Sequence, residues 1–192
     1  MAYHIYNTEA LVCGSRDSNT SDRAYLLFTR EAGMVWAVVK SVREERSKHR
    51  YALQDFSVLR VSLIHGKAGW RIVGTESIGN LYYDATTRPM RTLFRNVIRL
   101  LRRVIRGEEA TPVLYDDVIK VLMSAEEGME HSELEAILTL RILHTLGYIA
   151  PKDSYGELLQ EKEMMTAYNA RSKEGLRAAK KAIEGALIAS HL

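Results

Sequence analysis

The chain has 192 residues, 46% hydrophobic and 27% charged, an ordinary globular composition with room for a buried core in one large domain or two small ones. A single cysteine, Cys13, excludes an internal disulfide and any multi-cysteine zinc site, and no apolar stretch approaches the roughly 18–20 residues of a membrane span. The net charge of +3 conceals an asymmetry, since residues 1–83 carry +3, residues 84–107 carry +6 and residues 108–192 carry −6.

The first 80 residues read as strands. Tyr3–Cys13 is a β-prone run that ends at Gly14, with Cys13 a buried strand residue. Ser15-Arg16-Asp17-Ser18-Asn19-Thr20-Ser21-Asp22 is a loop, because such side chains compete for backbone hydrogen bonds. Ala24–Arg30 and Met34–Lys40 flank Glu31-Ala32-Gly33, a three-residue hairpin connection with glycine available for positive φ. Phe56–His65 alternates, with Val58, Arg60, Ser62 and Ile64 on one face and Leu59, Val61 and Leu63 on the other. Gly66-Lys67-Ala68-Gly69 turns the chain into Trp70–Ser77. Five strands without a long helix suit a small Greek-key barrel or sandwich, with the five-stranded OB barrel the leading candidate.

After Leu81-Tyr82-Tyr83 the period becomes helical. The expected division is therefore a barrel over 1–83 and an all-α domain over 84–192, an α+β chain. The first helix, Thr87–Arg106, carries Arg88, Arg91, Arg95, Arg99, Arg102 and Arg106 at gaps of 3, 4, 4, 3 and 4, on one stripe. Leu93, Phe94, Val97, Ile98, Leu101, Val104 and Ile105 fill the opposite side. Thr111-Pro112 caps and opens a helix through Ser124. Ser132-Glu133-Leu134-Glu135 reads as a capping box leading to Leu146, with Gly147 as the stop. Further helices are expected over Tyr155–Asn169 and from Ser172 onward.

Little of this supports catalysis. The six histidines show no metal spacing, and Asp116-Asp117 and Glu126-Glu127 sit at adjacent helical positions whose side chains diverge by about 100° and cannot grip one ion. No phosphate loop, nucleophile elbow or paired-cysteine motif is present. The chain is not expected to be an enzyme, and no metal or cofactor is expected.

Polyanion binding is better supplied. Like charges at i, i+4 repel, so a continuous guanidinium row implies a partner of opposite charge, and phosphate matches the planar fork. Lys40, Arg43, Arg46, Lys48 and Arg50 form a second basic element between two expected strands, against Glu44 and Glu45. Tyr51 and Trp70 are candidate base-stacking residues. Trp36, alternating with Met34 and Val38, is assigned to the core instead.

Asp22-Arg23, Leu26-Leu27-Phe28-Thr29-Arg30-Glu31, Gly33 and Ala37-Val38-Val39-Lys40, then the basic loop and Leu53-Gln54-Asp55-Phe56-Ser57-Val58-Leu59, resemble in order and spacing the N-terminal barrel of the RecO recombination mediators. Leu140-Arg141-Ile142-Leu143-His144-Thr145-Leu146-Gly147-Tyr148-Ile149-Ala150-Pro151 is similar to the signature of that family's helical domain. The resemblance implies an OB-fold followed by a helical domain, binding of single- and double-stranded DNA, and annealing of complementary strands. It also implies a role in DNA repair and recombinase loading with RecR and the C-terminal tail of single-stranded-DNA-binding protein. The family's DNA contacts carry over to Lys40, Arg43, Arg46, Lys48 and Arg50, and to Arg30. Many members carry a four-cysteine zinc module after the leucine-glycine-tyrosine signature. Here Lys152-Asp153-Ser154-Tyr155-Gly156 follows, so a short form lacking that module is expected. Ser41 stands where glycine is common, and the helical domain is shorter than usual.

Two rivals remain at this stage. In one the chain is an interaction adaptor whose arginine row grips an acidic peptide, or its own acidic half through Glu157, Glu161 and Glu163. In the other the basic helix lies on an anionic membrane, though its apolar face is needed for the core. With no signal segment in Met1-Ala2-Tyr3-His4, the expected location is cytoplasmic and nucleoid-associated.

Overall fold

A computed structural model describes residues 4–18, 21–40, 49–160 and 163–190. Alternating apolar side chains build the first part. Strands β1 (Ile5–Asp17), β2 (Arg23–Thr29), β3 (Gly33–Val39), β4 (Ser57–Gly66) and β5 (Gly69–Asn80) close into a barrel in the order β1-β2-β3-β5-β4. All neighbours are antiparallel except β3 and β5, which run parallel. A short helix α1 (His49–Ala52) lies between β3 and β4 in sequence. Ala10 and Val12, Tyr25 and Leu27, Val35, Ala37 and Val39, Leu59, Val61 and Leu63, and Trp70 and Ile72 point inward, one set from each strand. Burial of each large apolar member contributes about 1.5–3 kcal/mol.

The strands differ from expectation at their ends. β1 does not stop at Gly14 but runs on through Asp17, because Ser15, Arg16 and Asp17 pair with Tyr25, Ala24 and Arg23. A ladder can recruit polar residues where their side chains stay wet. A bulge between Val12 and Gly14 accommodates the buried Cys13. The expected hairpin at Glu31-Ala32-Gly33 forms, and Gly33 has φ +63°. The hydroxyl of Thr29 closes it, accepting from Ala32 N and donating to Gly33 O, each at 3.0 Å.

Two compact units result. The first comprises residues 1–85 and 105–115, and the second residues 86–104 and 116–192. The main boundary lies near the expected one at 83/84, but the segment 105–115 returns to the barrel. Met34 N donates to Gly107 O at 3.0 Å, and the Phe28 and Tyr115 rings pack 5.2 Å apart. A side chain on Gly33 would place its Cβ 2.5 Å from Glu109 O, so glycine is required there by contact as well as by dihedral.

The remaining helices are α2 (Leu81–Asp84), α3 (Arg88–Val104), α4 (Pro112–Met123), α5 (His131–Thr145), α6 (Glu157–Gln160), α7 (Met164–Ala170) and α8 (Lys173–Ala189). In the second unit α5 packs against both α3 and α8. The capping box read at Ser132–Glu135 does not form: α5 starts one residue earlier, after Glu130, without a side-chain cap. The span read as Tyr155–Asn169 contains α6 and α7, and residues 161–162 between them lie outside the described residues. Gly147, φ +79°, ends α5 as read, with Gly147 N donating to His144 O and Tyr148 N to Leu143 O.

Candidate nucleic-acid interface

Helix α3 is built as its sequence requires. Leu93, Phe94, Val97, Ile98, Leu101 and Val104 are buried. Arg88, Arg91, Arg95, Arg99, Arg102 and Arg103 are exposed and fall within an arc of about 120° at 3.6 residues per turn. The helix ends at Val104, so Arg106 is exposed but lies beyond it, in the segment assigned to the barrel unit. Among the described residues, Arg88, Arg99, Arg102 and Arg103 form no ion pair or hydrogen bond. Arg102 and Arg103 at the C-terminal turn gain from the helix dipole, which offsets part of the mutual repulsion.

Several acids of the helical unit are engaged elsewhere. Glu163 binds Lys120 at 2.9 Å, and Glu157 accepts from the Ser172 hydroxyl at 2.6 Å. Glu133 holds Arg171 at 2.5 Å, while Glu161 lies outside the described residues. Glu135 and Glu184 lie beside the row, lining a groove with Arg99 and Arg103. Burial raises the Glu135 pKa, while the Asn96 hydrogen bond and the Arg95 charge pull it down.

The barrel distributes the other expected residues unevenly. Lys40 is exposed in the turn after β3. Arg43, Arg46 and Lys48 lie outside the described residues, and of Arg50 only the backbone, in α1, is described. Arg30 is paired to Glu31 at 3.0 Å, in a cleft shared with Arg60, which itself meets Glu9 and Glu76 at 3.7 and 3.3 Å. Its charge is locally offset. Tyr51 is 78% exposed. Trp70 is buried, with its ring against Tyr6 and His65 at 5.3 and 4.7 Å, so it offers no open face to a base.

The assignment of Trp36 to the core is corrected by the barrel. Val35, Ala37 and Val39 are the inward residues of β3, so Trp36 points outward and is 37% exposed. The Arg16 guanidinium lies 4.2 Å from its ring centre. Arg16, read as part of a loop, and Arg71 on β5 were both missed. Alternation in β3 was the available signal for Trp36. It places Trp36 with Met34 and Val38 correctly, but does not say which end of that face is covered. A second aromatic feature is a cleft of about 590 Å³ in the barrel unit, lined by Tyr25, Phe56, Tyr82 and Tyr83.

A closed five-stranded barrel in this strand order is an OB-fold, a class whose strand 2–3 face and flanking loops take oligonucleotides or oligosaccharides. Residues 1–72 match the family described as Recombination protein O N terminal. By that match the barrel is similar to the N-terminal domain of the RecO family. The chain is 41% identical over 147 residues to the DNA repair protein RecO of Desulfitobacterium hafniense, a match covering 75% of this chain and 52% of that protein. The RecO of Myxococcus xanthus is 29% identical over 111 residues, covering 57% of this chain and 46% of that protein. That of Clostridium novyi is 26% identical over 148 residues, covering 75% and 57%. The chain thus matches about half the length of these relatives. Among the described residues no helix is long and apolar enough to cross a membrane, and no cluster of His, Cys, Asp or Glu could hold a metal ion.

Proposed function

We propose that this chain is a non-enzymatic DNA-binding protein of recombinational repair that holds single and double strands by phosphate neutralisation and anneals complementary strands. The observation that supports the reading is the arginine face of α3, whose Arg88, Arg99, Arg102 and Arg103 side chains are exposed and, among the described residues, form no ion pair. Two strands repel through their phosphates, and a surface that binds both lowers that barrier without covalent chemistry. The name of these relatives, DNA repair protein RecO, supports the same assignment. Lys40 is an exposed cation of the barrel unit, and Tyr51 is a stacking candidate. RecR and the single-stranded-DNA-binding protein are the proposed partners in recombinase loading, and the cytoplasmic nucleoid the proposed location.

A strand-annealing assay with and without single-stranded-DNA-binding protein tests both parts. Annealing should accelerate, and should persist on coated strands. With about five to seven phosphates neutralised, log K against log salt should slope at about −3.5 to −5 on single strands. A flat salt dependence rejects the reading.

One observation favours the adaptor reading as a second activity. In the helical unit Arg99, Arg103 and Lys180 rim a groove of about 570 Å³ with Leu100, Ile183 and Leu187 on its walls, although Glu135 and Glu184 also line it. Three cations among apolar side chains suit an acidic peptide with apolar residues, against the two acids of the same lining. Binding of such a peptide without DNA binding would promote this reading over the first.

A further inference from the structure

The aromatic cleft of the barrel unit begins at a strained turn. Gln54 O accepts from Ser57 N at 3.1 Å, closing a four-residue turn whose third residue, Phe56, has φ +71°. Glycine is the unstrained choice at such a position, and a phenylalanine in the left-handed region costs backbone energy. The conformation is held from both sides. Phe56 N donates to Val12 O at 3.0 Å, and Leu81 N donates to Phe56 O at 3.1 Å. The strain sets the Phe56 ring 5.6 Å from that of Tyr82, and both rings line the cleft of about 590 Å³.

The polar groups of the cleft select its occupant. Tyr25, which lines it, is 3% exposed, and among the described residues its hydroxyl has no hydrogen-bond partner. Burial raises the pKa of that hydroxyl, the Arg23 charge lowers it, and Asp55 and Asp17 raise it again. It is a protonated donor set among those charges. Arg23, a cation of the lining, is tied to Asp17 at 3.9 Å, and Asp84 accepts from the backbone of Asn80, another lining residue, at 3.2 Å. Asp55 is exposed on the rim, beside Tyr82 and Tyr83. Three carboxylates against one guanidinium repel phosphate, although the chain as a whole is basic.

We infer that this cleft docks a basic peptide segment of a partner protein: its arginine or lysine lies against the Phe56, Tyr82 and Tyr83 rings and pairs with Asp55, while the Tyr25 hydroxyl donates to a carbonyl of the segment. Aromatic faces attract a cation through the negative potential of the ring, and a neighbouring carboxylate adds to the attraction. A peptide also supplies the acceptor that Tyr25 lacks. This surface goes beyond the DNA-binding reading and does not depend on it. The arginines of α3 take phosphates, whereas the cleft takes the opposite charge. Phe56 keeps its strained backbone because the ring is needed at the cleft wall, where glycine would give a relaxed turn and no wall.

The test uses the full chain, a capped glycine-arginine-glycine peptide and the same peptide with uncharged citrulline in place of arginine. The arginine peptide should shift the amide resonances of Asp55, Phe56, Tyr82 and Tyr83. Citrulline should weaken binding by about 5- to 30-fold, the worth of one cation against aromatic rings. Phe56→Gly should weaken the arginine peptide by a similar factor. Asp55→Asn, at an exposed position, should do the same and keeps the test readable if the glycine variant folds poorly. DNA affinity should stay within about twofold of wild type in both variants, since neither removes a cation. Equal affinity for the two peptides, or unchanged peptide binding in Asp55→Asn, overturns this assignment and leaves the DNA-binding reading standing. Oligothymidylate shifting the same four resonances also overturns it, by making the cleft a nucleic-acid site.

Discussion

The Asn96 side-chain amide donates to both carboxylate oxygens of Glu135, at 3.0 and 3.2 Å. This pair joins the basic helix α3 to α5 and places one carboxylate at the margin of the arginine row. The capping box fails for a separate reason: α5 already begins at His131, which places Ser132 and Glu135 inside the helix.

That carboxylate should cost stability at neutral pH. Burial is the largest influence on Glu135 and raises its pKa above the usual 4.5, against the opposing pull of Asn96 and Arg95. A carboxyl whose folded pKa exceeds its unfolded one favours the folded state below the unfolded pKa and loses that advantage as pH rises through the folded value. Glu135→Gln keeps an acceptor for Asn96 and removes the charge. It should melt above the wild type at pH 7, with the difference vanishing near pH 4. A lower melting temperature at pH 7 would mean that the attraction to Arg95 outweighs burial.

Replacing Arg91, Arg95 and Arg99 together with alanine should weaken DNA binding to a similar extent for unrelated sequences, because phosphate contacts carry no base information. Removing three phosphate contacts should flatten the salt slope by about 2 on single strands and somewhat more on duplex. Stability should change little, since all three side chains are exposed. Titration of two unrelated oligonucleotides at several salt concentrations decides it. An unaltered slope would make the row structural.

Gly33→Ala should destabilise the barrel by more than about 1 kcal/mol, since it adds left-handed strain to a backbone collision. The Cβ would meet Glu109 O and Gly107 O at 2.5 and 2.9 Å, which loosens the segment from the hairpin. Hydrogen exchange at the Met34 amide, bonded to Gly107 O, should therefore accelerate along with the loss in urea stability. An unchanged Met34 exchange rate would show that the segment does not depend on the glycine.

What the sequence made legible and what it did not divide on physical grounds. The inward set Leu59, Val61 and Leu63 and the stripe of α3 follow from a period of 2 and of 3.6, which short-range geometry dictates. The family resemblance likewise rests on contiguous runs such as Leu26–Glu31. Coverage of a face is different, because it depends on chain distant in sequence. Met34 and Trp36 share a face, but the segment 105–115 buries only the first. Arg16 and Arg71 are far apart along the chain and come to one row only through three strand pairings in the closed barrel. The end of α5 was readable from Gly147, a local signal, whereas its beginning carries no side-chain cap and meets the distant Tyr168 hydroxyl through Glu130 N.

Arg171 supplies the last expectation. As the C-cap of α7 it binds Glu133 at 2.5 Å, donates to Tyr168 O at 2.6 Å, and lies 3.8 Å from the centre of the Tyr168 ring. The Tyr168 hydroxyl in turn accepts from Glu130 N at 2.8 Å and satisfies an otherwise uncapped α5 start. A planar fork can stack on Tyr168 while it donates to the carbonyl and pairs with Glu133, a combination that a compact ammonium cannot reproduce in this geometry. The pair is partly buried, with side-chain exposures of 23% and 29%, so its worth is more than a surface bridge but well short of a fully desolvated one. Arg171→Lys should therefore cost about 1–2 kcal/mol in urea unfolding despite conserving charge. A double-mutant cycle with Glu133→Gln should return a coupling of about 1 kcal/mol. Wild-type stability in the lysine variant would show that charge alone secures this corner, and would remove Tyr168 stacking from the account of how α5 begins.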